Sequence, residues 1–152
     1  MRNIGVISLV LIGILVIACG SSGSSEPTGS GLRERAEAFA TAFSNEEWVE
    51  IYRFYSPEYQ ENCSAEAFAS GMELGLGMLK AVRDIDEGEK IGIRITAVTV
   101  DGLNGTVRAV LLYKSDTFSD PMDRDETSEQ WSFIDGQWRY DEDDGCLTAD
   151  LS

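Results

Sequence analysis

The chain has 152 residues, with 27 acidic side chains against 12 basic ones, a formal net charge of −15 and no histidine. That length holds one folded domain behind a leader, and so acidic a surface repels nucleic acid and anionic lipid headgroups, which excludes a nucleic-acid partner. With no histidine, no P-loop, no Gly-x-Gly-x-x-Gly run and no Cys-x-x-Cys spacing, the sequence names no catalytic residue, no cofactor and no metal site.

Met1, Arg2 and Asn3 form a short cationic start, followed by an apolar run from Ile4 to Ile17 and then Val16-Ile17-Ala18-Cys19. The run is shorter than the ~20 residues a membrane-spanning helix needs and reads as an export signal over residues 1–18. Its last four residues resemble the lipobox of bacterial lipoproteins: an aliphatic residue, a tolerant position, a small residue and a cysteine. The resemblance implies cleavage before Cys19 and diacylation of its thiol. Two acyl chains, each gaining ~0.8 kcal/mol per buried methylene, would anchor the chain to a membrane on the extracytoplasmic side of a bacterial cell envelope. An uncleaved anchor, or an ordinary secretory signal with Cys19 incidental, is the competing reading. Residues 19–31 then form the lipidated cysteine and a Gly/Ser linker that spans roughly 20 Å, residues 32–146 the domain, and residues 147–152 a tail. Once Cys19 is committed to lipid, Cys63 and Cys146 remain. In an oxidising exterior they read as a disulfide, against the alternative of two buried thiols.

Leu32, Ala36, Phe39, Ala40 and Phe43 recur on one helical face, with Ser30 as the expected cap. Ser44-Asn45-Glu46-Glu47 reads as a capping box for a second helix carrying Trp48, Ile51, Tyr52 and Tyr55. Ser56-Pro57 starts a short third helix, with serine as cap and proline at the first position. Ser64 caps a longer fourth helix to about Arg83, with Phe68, Met72, Leu76, Leu79 and Val82 on one face. Gly71, Gly75 and Gly77 weaken that helix by about 1 kcal/mol each, or the i, i+4 pair Gly71 and Gly75 allows a second backbone to approach it.

From Lys90 the period becomes two. Ile91, Ile93 and Ile95 alternate with polar residues, and the alternation slips near Ala97, where a bulge is expected. The turn chemistry of Asp101 to Gly105 returns the chain as a strand from Thr106 to Lys114. A polar loop, Ser115 to Arg124, precedes a second hairpin that pairs about Asp125 to Ile134 with Gln137 to Asp141 across Asp135-Gly136, a type I′ signal. Helices followed by a meander of about four strands predict an α+β fold with N-terminal helices packed against a curved antiparallel sheet.

That order, the Trp- and Tyr-bearing second helix before a Ser-Pro break, and the run Trp131-Ser132-Phe133-Ile134-Asp135-Gly136-Gln137-Trp138-Arg139 resemble the nuclear transport factor 2-like superfamily, which includes SnoaL and ketosteroid isomerase. The resemblance is nearest to its small exported lipoproteins. It implies a cone with a pocket at the open end, in some members an isomerase, dehydratase or cyclase site. Trp48, Tyr52, Tyr55, Met72, Trp131, Phe133 and Trp138 are the candidate pocket residues; aromatics at these periods also serve simply as core. Asp116, Asp120, Asp123, Asp125 and Glu126, with the run Asp141 to Asp144, invite a calcium reading but do not fit an EF-hand loop and read as a solvated face. The expected role is a non-enzymatic, lipid-anchored domain binding a small apolar ligand or an envelope protein. The alternatives are an isomerase or dehydratase that uses a buried carboxylate and a tyrosine, and an accessory subunit of a membrane complex.

Overall fold

Thr28, not Ser30, starts the first helix: its hydroxyl accepts from the Gly31 amide in a computed structural model that describes residues 26–86, 88–113, 120–121, 126–141 and 146. The leader, the linker before residue 26 and the tail lie outside the described residues. Helix α1 (Gly29–Ser44) buries Leu32, Ala36, Ala40 and Ala42. The capping box expected at Ser44 does not form. Ser44 is still helical, so its hydroxyl turns back to donate to the Ala40 carbonyl at 2.9 Å. The chain leaves α1 through Glu46, at φ 59°, and Glu47 starts α2 (Trp48–Tyr52) without a side-chain cap.

The other two caps form as expected. Ser56 accepts from the Tyr59 amide at the head of α3 (Pro57–Asn62), with Pro57 in the first turn, and Ser64 accepts from the Ala67 amide at the head of α4 (Ala65–Val82). The apolar face of α4 is shorter than its periodicity suggests. Phe68 is fully buried and Met72 and Leu76 pack on the core, but Leu74, Met78 and Val82 are exposed. Beyond the neighbouring residues and backbone of its own helix, no atom of the described residues comes within 4 Å of a side chain added at Gly75, so among them that glycine serves no close backbone approach.

Strands β1 (Ile91–Asp101), β2 (Asn104–Tyr113), β4 (Thr127–Ile134) and β5 (Gln137–Tyr140) form an antiparallel sheet in the order β1-β2-β4-β5, with the two-residue β3 (Asp120–Pro121) pairing with the end of β2. The expected bulge lies between Ile95 and Ala97. Gly102 (φ 60°) opens the first hairpin, and Asp135 (φ 51°) and Gly136 (φ 77°) supply the two positive φ values of a type I′ turn in the second. The four helices pack against this curled half-barrel, an α+β fold. Phe54 to Ser56 then seals its last strand: the Tyr140 amide donates to the Phe54 carbonyl at 2.8 Å and the Ser56 amide to the Tyr140 carbonyl at 3.1 Å.

The core has two parts. Trp48, Ile51, Tyr55, Tyr59, Cys63 and Phe68 form one among the helices, and Leu32, Phe54, Val107, Trp131 and Trp138 the other against the sheet. Phe39 and Tyr140, stacked at 5.5 Å, pack against both. Cys63 is bonded to Cys146, 83 residues later, with their Cα atoms 4.9 Å apart. At Gly105 an added Cβ would sit 2.3 Å from Leu32 Cδ2 and 3.0 Å from the Trp138 ring, both fully enclosed groups. Gly105→Ala is therefore expected to lower the urea unfolding midpoint by an amount equivalent to about 1–3 kcal/mol, with the slope unchanged.

Candidate functional site

The alternation of β4 turns Thr127, Glu129 and Trp131 to the concave face, where they meet Val107 and Ala109 of β2 and Ile93 and Ile95 of β1. Helix α1 closes the space with Ala36, Phe39 and Phe43, and α4 with Met72. These groups leave a cavity of about 270 Å³ inside the cone, just below the ~300–1,000 Å³ typical of small-molecule pockets.

Its walls are mostly apolar, with one carboxylate among them. Glu129 Oε2 accepts from the Tyr140 hydroxyl at 2.5 Å, and both side chains line the cavity. Tyr140 owes its position to the β5 edge, where its backbone is bonded on both sides to Phe54 and Ser56. A second polar feature is the indole of Trp131, which is 2% exposed and whose Nε1 has no acceptor among the described residues. A buried N–H without a partner costs about 1–3 kcal/mol. The site thus offers an acceptor pair, Glu129 with Tyr140, and the Thr127 side chain on an otherwise greasy wall.

Of the residues expected to line a pocket, Tyr55, Met72 and Trp131 do so. The other four stand outside the lining. Trp48 packs edge-on to Phe43 among the helices. The Tyr52 hydroxyl lies 3.0 Å from the Gln60 carbonyl and 2.6 Å from that of Cys63, a bond that fixes the α3 to α4 link. Phe133 and Trp138 pack on each other, and Trp138 fills the space over Gly105. Glu129 was missed, although it is two residues from Trp131 on the same strand and so shares its face. Among the described residues no group of three or more acidic or cysteine side chains is placed to hold a metal; Asp116, Asp123, Asp125 and Asp144 lie outside them.

Among the described residues, two larger hollows open to the surface. One, of about 510 Å³, lies between Glu37 and Thr41 of α1 and Arg94 of β1. The other, of about 410 Å³, is bordered by Arg35, Arg53 and Arg139.

No family model matches the chain, and no curated protein does. Among solved structures it is similar to a SEC-C motif containing protein from Rhodopseudomonas palustris, at 14% identity over 78% of this chain and 81% of the other, with a TM-score of 0.47. The expected resemblance to the nuclear transport factor 2-like superfamily, and to bacterial lipoproteins through Val16 to Cys19, is corrected: no family model of either kind matches the chain. The pattern behind that expectation, dispersed aromatics at periods of 3.6 and 2, is what any helix-on-sheet core demands, and it identifies no family.

Proposed function

We propose that this chain is an exported domain whose cone binds a small and largely apolar ligand bearing one hydrogen-bonding end. The observation that carries the binding role is the cavity of about 270 Å³ with Glu129 and Tyr140 paired on its mostly apolar wall. Apolar walls supply affinity in proportion to the area removed from water, and the carboxylate orients the ligand by accepting from an amine or hydroxyl. The Cys63–Cys146 bond supports a location outside the cytoplasm, where disulfides persist. Among the described residues no helix is long and apolar enough to cross a membrane.

A neutral amine dye such as N-phenyl-1-naphthylamine tests the reading. Its fluorescence is expected to rise to saturation at one site, and Ala109→Leu, which fills the cavity from β2, to weaken binding at least ~10-fold while near-UV circular dichroism stays native. Equal affinity in the variant would remove the cavity from consideration.

A second reading rests on the same carboxylate and phenol. In a dry site such a pair is fit to move a proton on the bound ligand, with Glu129 as base and Tyr140 as donor. Deuterium taken up from solvent by ligand extracted from the protein, and lost in Glu129→Gln, would mark the enzyme; ligand returned unlabelled would mark the carrier.

A further inference from the structure

Nine arginines and three lysines are spread along a strongly acidic chain, yet three arginines from three different elements meet at one place. Arg35 rises from α1, Arg53 follows α2, and Arg139 lies on β5. The Arg139 Nη1 donates to the Arg53 carbonyl at 2.7 Å, and the Arg35 Nη2 approaches the same oxygen at 3.4 Å. The Arg35 guanidinium is also stacked on Phe54, 3.9 Å from the ring centroid, which fixes its plane.

This arrangement is unfavourable as it stands. Arg53 has a carboxylate partner in Glu50, at 2.7 Å. Arg35 and Arg139 have none among the described residues, and the Nε atoms of both are buried without an acceptor. Burial, and after it the positive charge of Arg139, pull the Arg35 pKa below its ordinary value. Two partly desolvated cations are thus held beside each other with donors to spare. The hollow of about 410 Å³ that they border, together with Gln60, Gln137 and the Glu50 carboxylate paired to Arg53, is open to solvent and large enough for an anion.

We propose that Arg35 and Arg139, with Arg53 at the rim, form a binding site for a phosphate group, independent of the ligand in the cone. Guanidinium forks arriving from several elements match the several oxygens of a tetrahedral anion better than the single plane of a carboxylate. The phosphate is carried by a small solute or by a lipid headgroup. The net charge of −15 opposes approach to an anionic bilayer, so the soluble source is expected.

The experiment is calorimetric titration of the full chain with inorganic phosphate. One saturable site is expected, weakened at least ~10-fold in Arg139→Gln and in Arg139→Lys, which keeps the charge but loses the fork. Arg108→Gln, which alters an arginine outside the hollow, is expected to bind as the parent does. Absence of saturation below ~20 mM phosphate, or parental affinity in a natively folded Arg139→Lys, would overturn the site. Sedimentation with phosphatidylglycerol vesicles separates the sources. Arg139-dependent pelleting would sustain the site and assign it to lipid, and phosphate binding without pelleting sustains it for a solute.

Discussion

Breaking the Cys63–Cys146 bond, by reduction or by the double change Cys63→Ala and Cys146→Ala, is expected to lower stability by up to about 4.5 kcal/mol. The figure follows from the 83-residue separation: a cross-link of that span removes loop-closure entropy from the unfolded chain, and strain in the folded state only subtracts from it. Against the 5–15 kcal/mol of a typical domain that is a large share. It corresponds to roughly 15 °C in melting temperature for a domain of this size. Scanning calorimetry with and without reductant measures it. Thiol labelling of the denatured, unreduced domain should find neither Cys63 nor Cys146 free, and two labelled cysteines would remove both the bond and the case for export that rests on it.

Phe68→Ala is expected to cost about 3–5 kcal/mol, the largest effect of any single side-chain truncation in the helical part of the core. Phe68 is fully enclosed, and the rings of Tyr52, Tyr55 and Tyr59 lie 5.8, 5.0 and 6.2 Å from its own. The cavity left behind would be walled by three tyrosine rings, of which that of Tyr52 is held by the bonds of its hydroxyl to the Gln60 and Cys63 carbonyls, so it collapses poorly. Phe68→Leu should restore most of the loss in a urea titration. Since Phe68 and Cys63 share one cluster, combining Phe68→Ala with loss of the disulfide should cost less than the sum of the two. Strict additivity would show that the bond acts on the unfolded chain alone.

The parts of the fold that could be read in advance are those that local chemistry decides. Ser56-Pro57 and Ser64 cap because nothing competes for their hydroxyls, Asp135-Gly136 turns because both positions need positive φ, and the slip in alternation at Ala97 is the bulge itself. Ser44 failed because α1 runs through it, with Ala40 and Ala42 of its last turns packing on the core. The extent of the α4 face failed for a similar reason: periodicity places Val82 beneath Phe68, but the core ends before it. At the cavity, the aromatic residues were visible and the polar ones were not. Glu129 lies between two polar neighbours and looks like surface until the sheet curls around it. The arginine cluster could not be seen at all, because Arg35, Arg53 and Arg139 become neighbours only when the segment after α2 is laid along β5.

That laying-down has another consequence. The final strand of an open sheet is a row of unpaired amides and carbonyls, a template on which an extended segment of another molecule can add. Here the amide and carbonyl of Tyr140 are spent on Phe54 and Ser56, and the Arg139 guanidinium covers the next carbonyl along, that of Arg53. At the opposite margin β1 is bent by its bulge, carries Arg94 and is preceded by Lys90. Neither border offers a straight, bare rail for growth. Copies of this domain crowded together would meet as closed surfaces, and self-propagating strand exchange would first have to peel Phe54 to Ser56 away from β5.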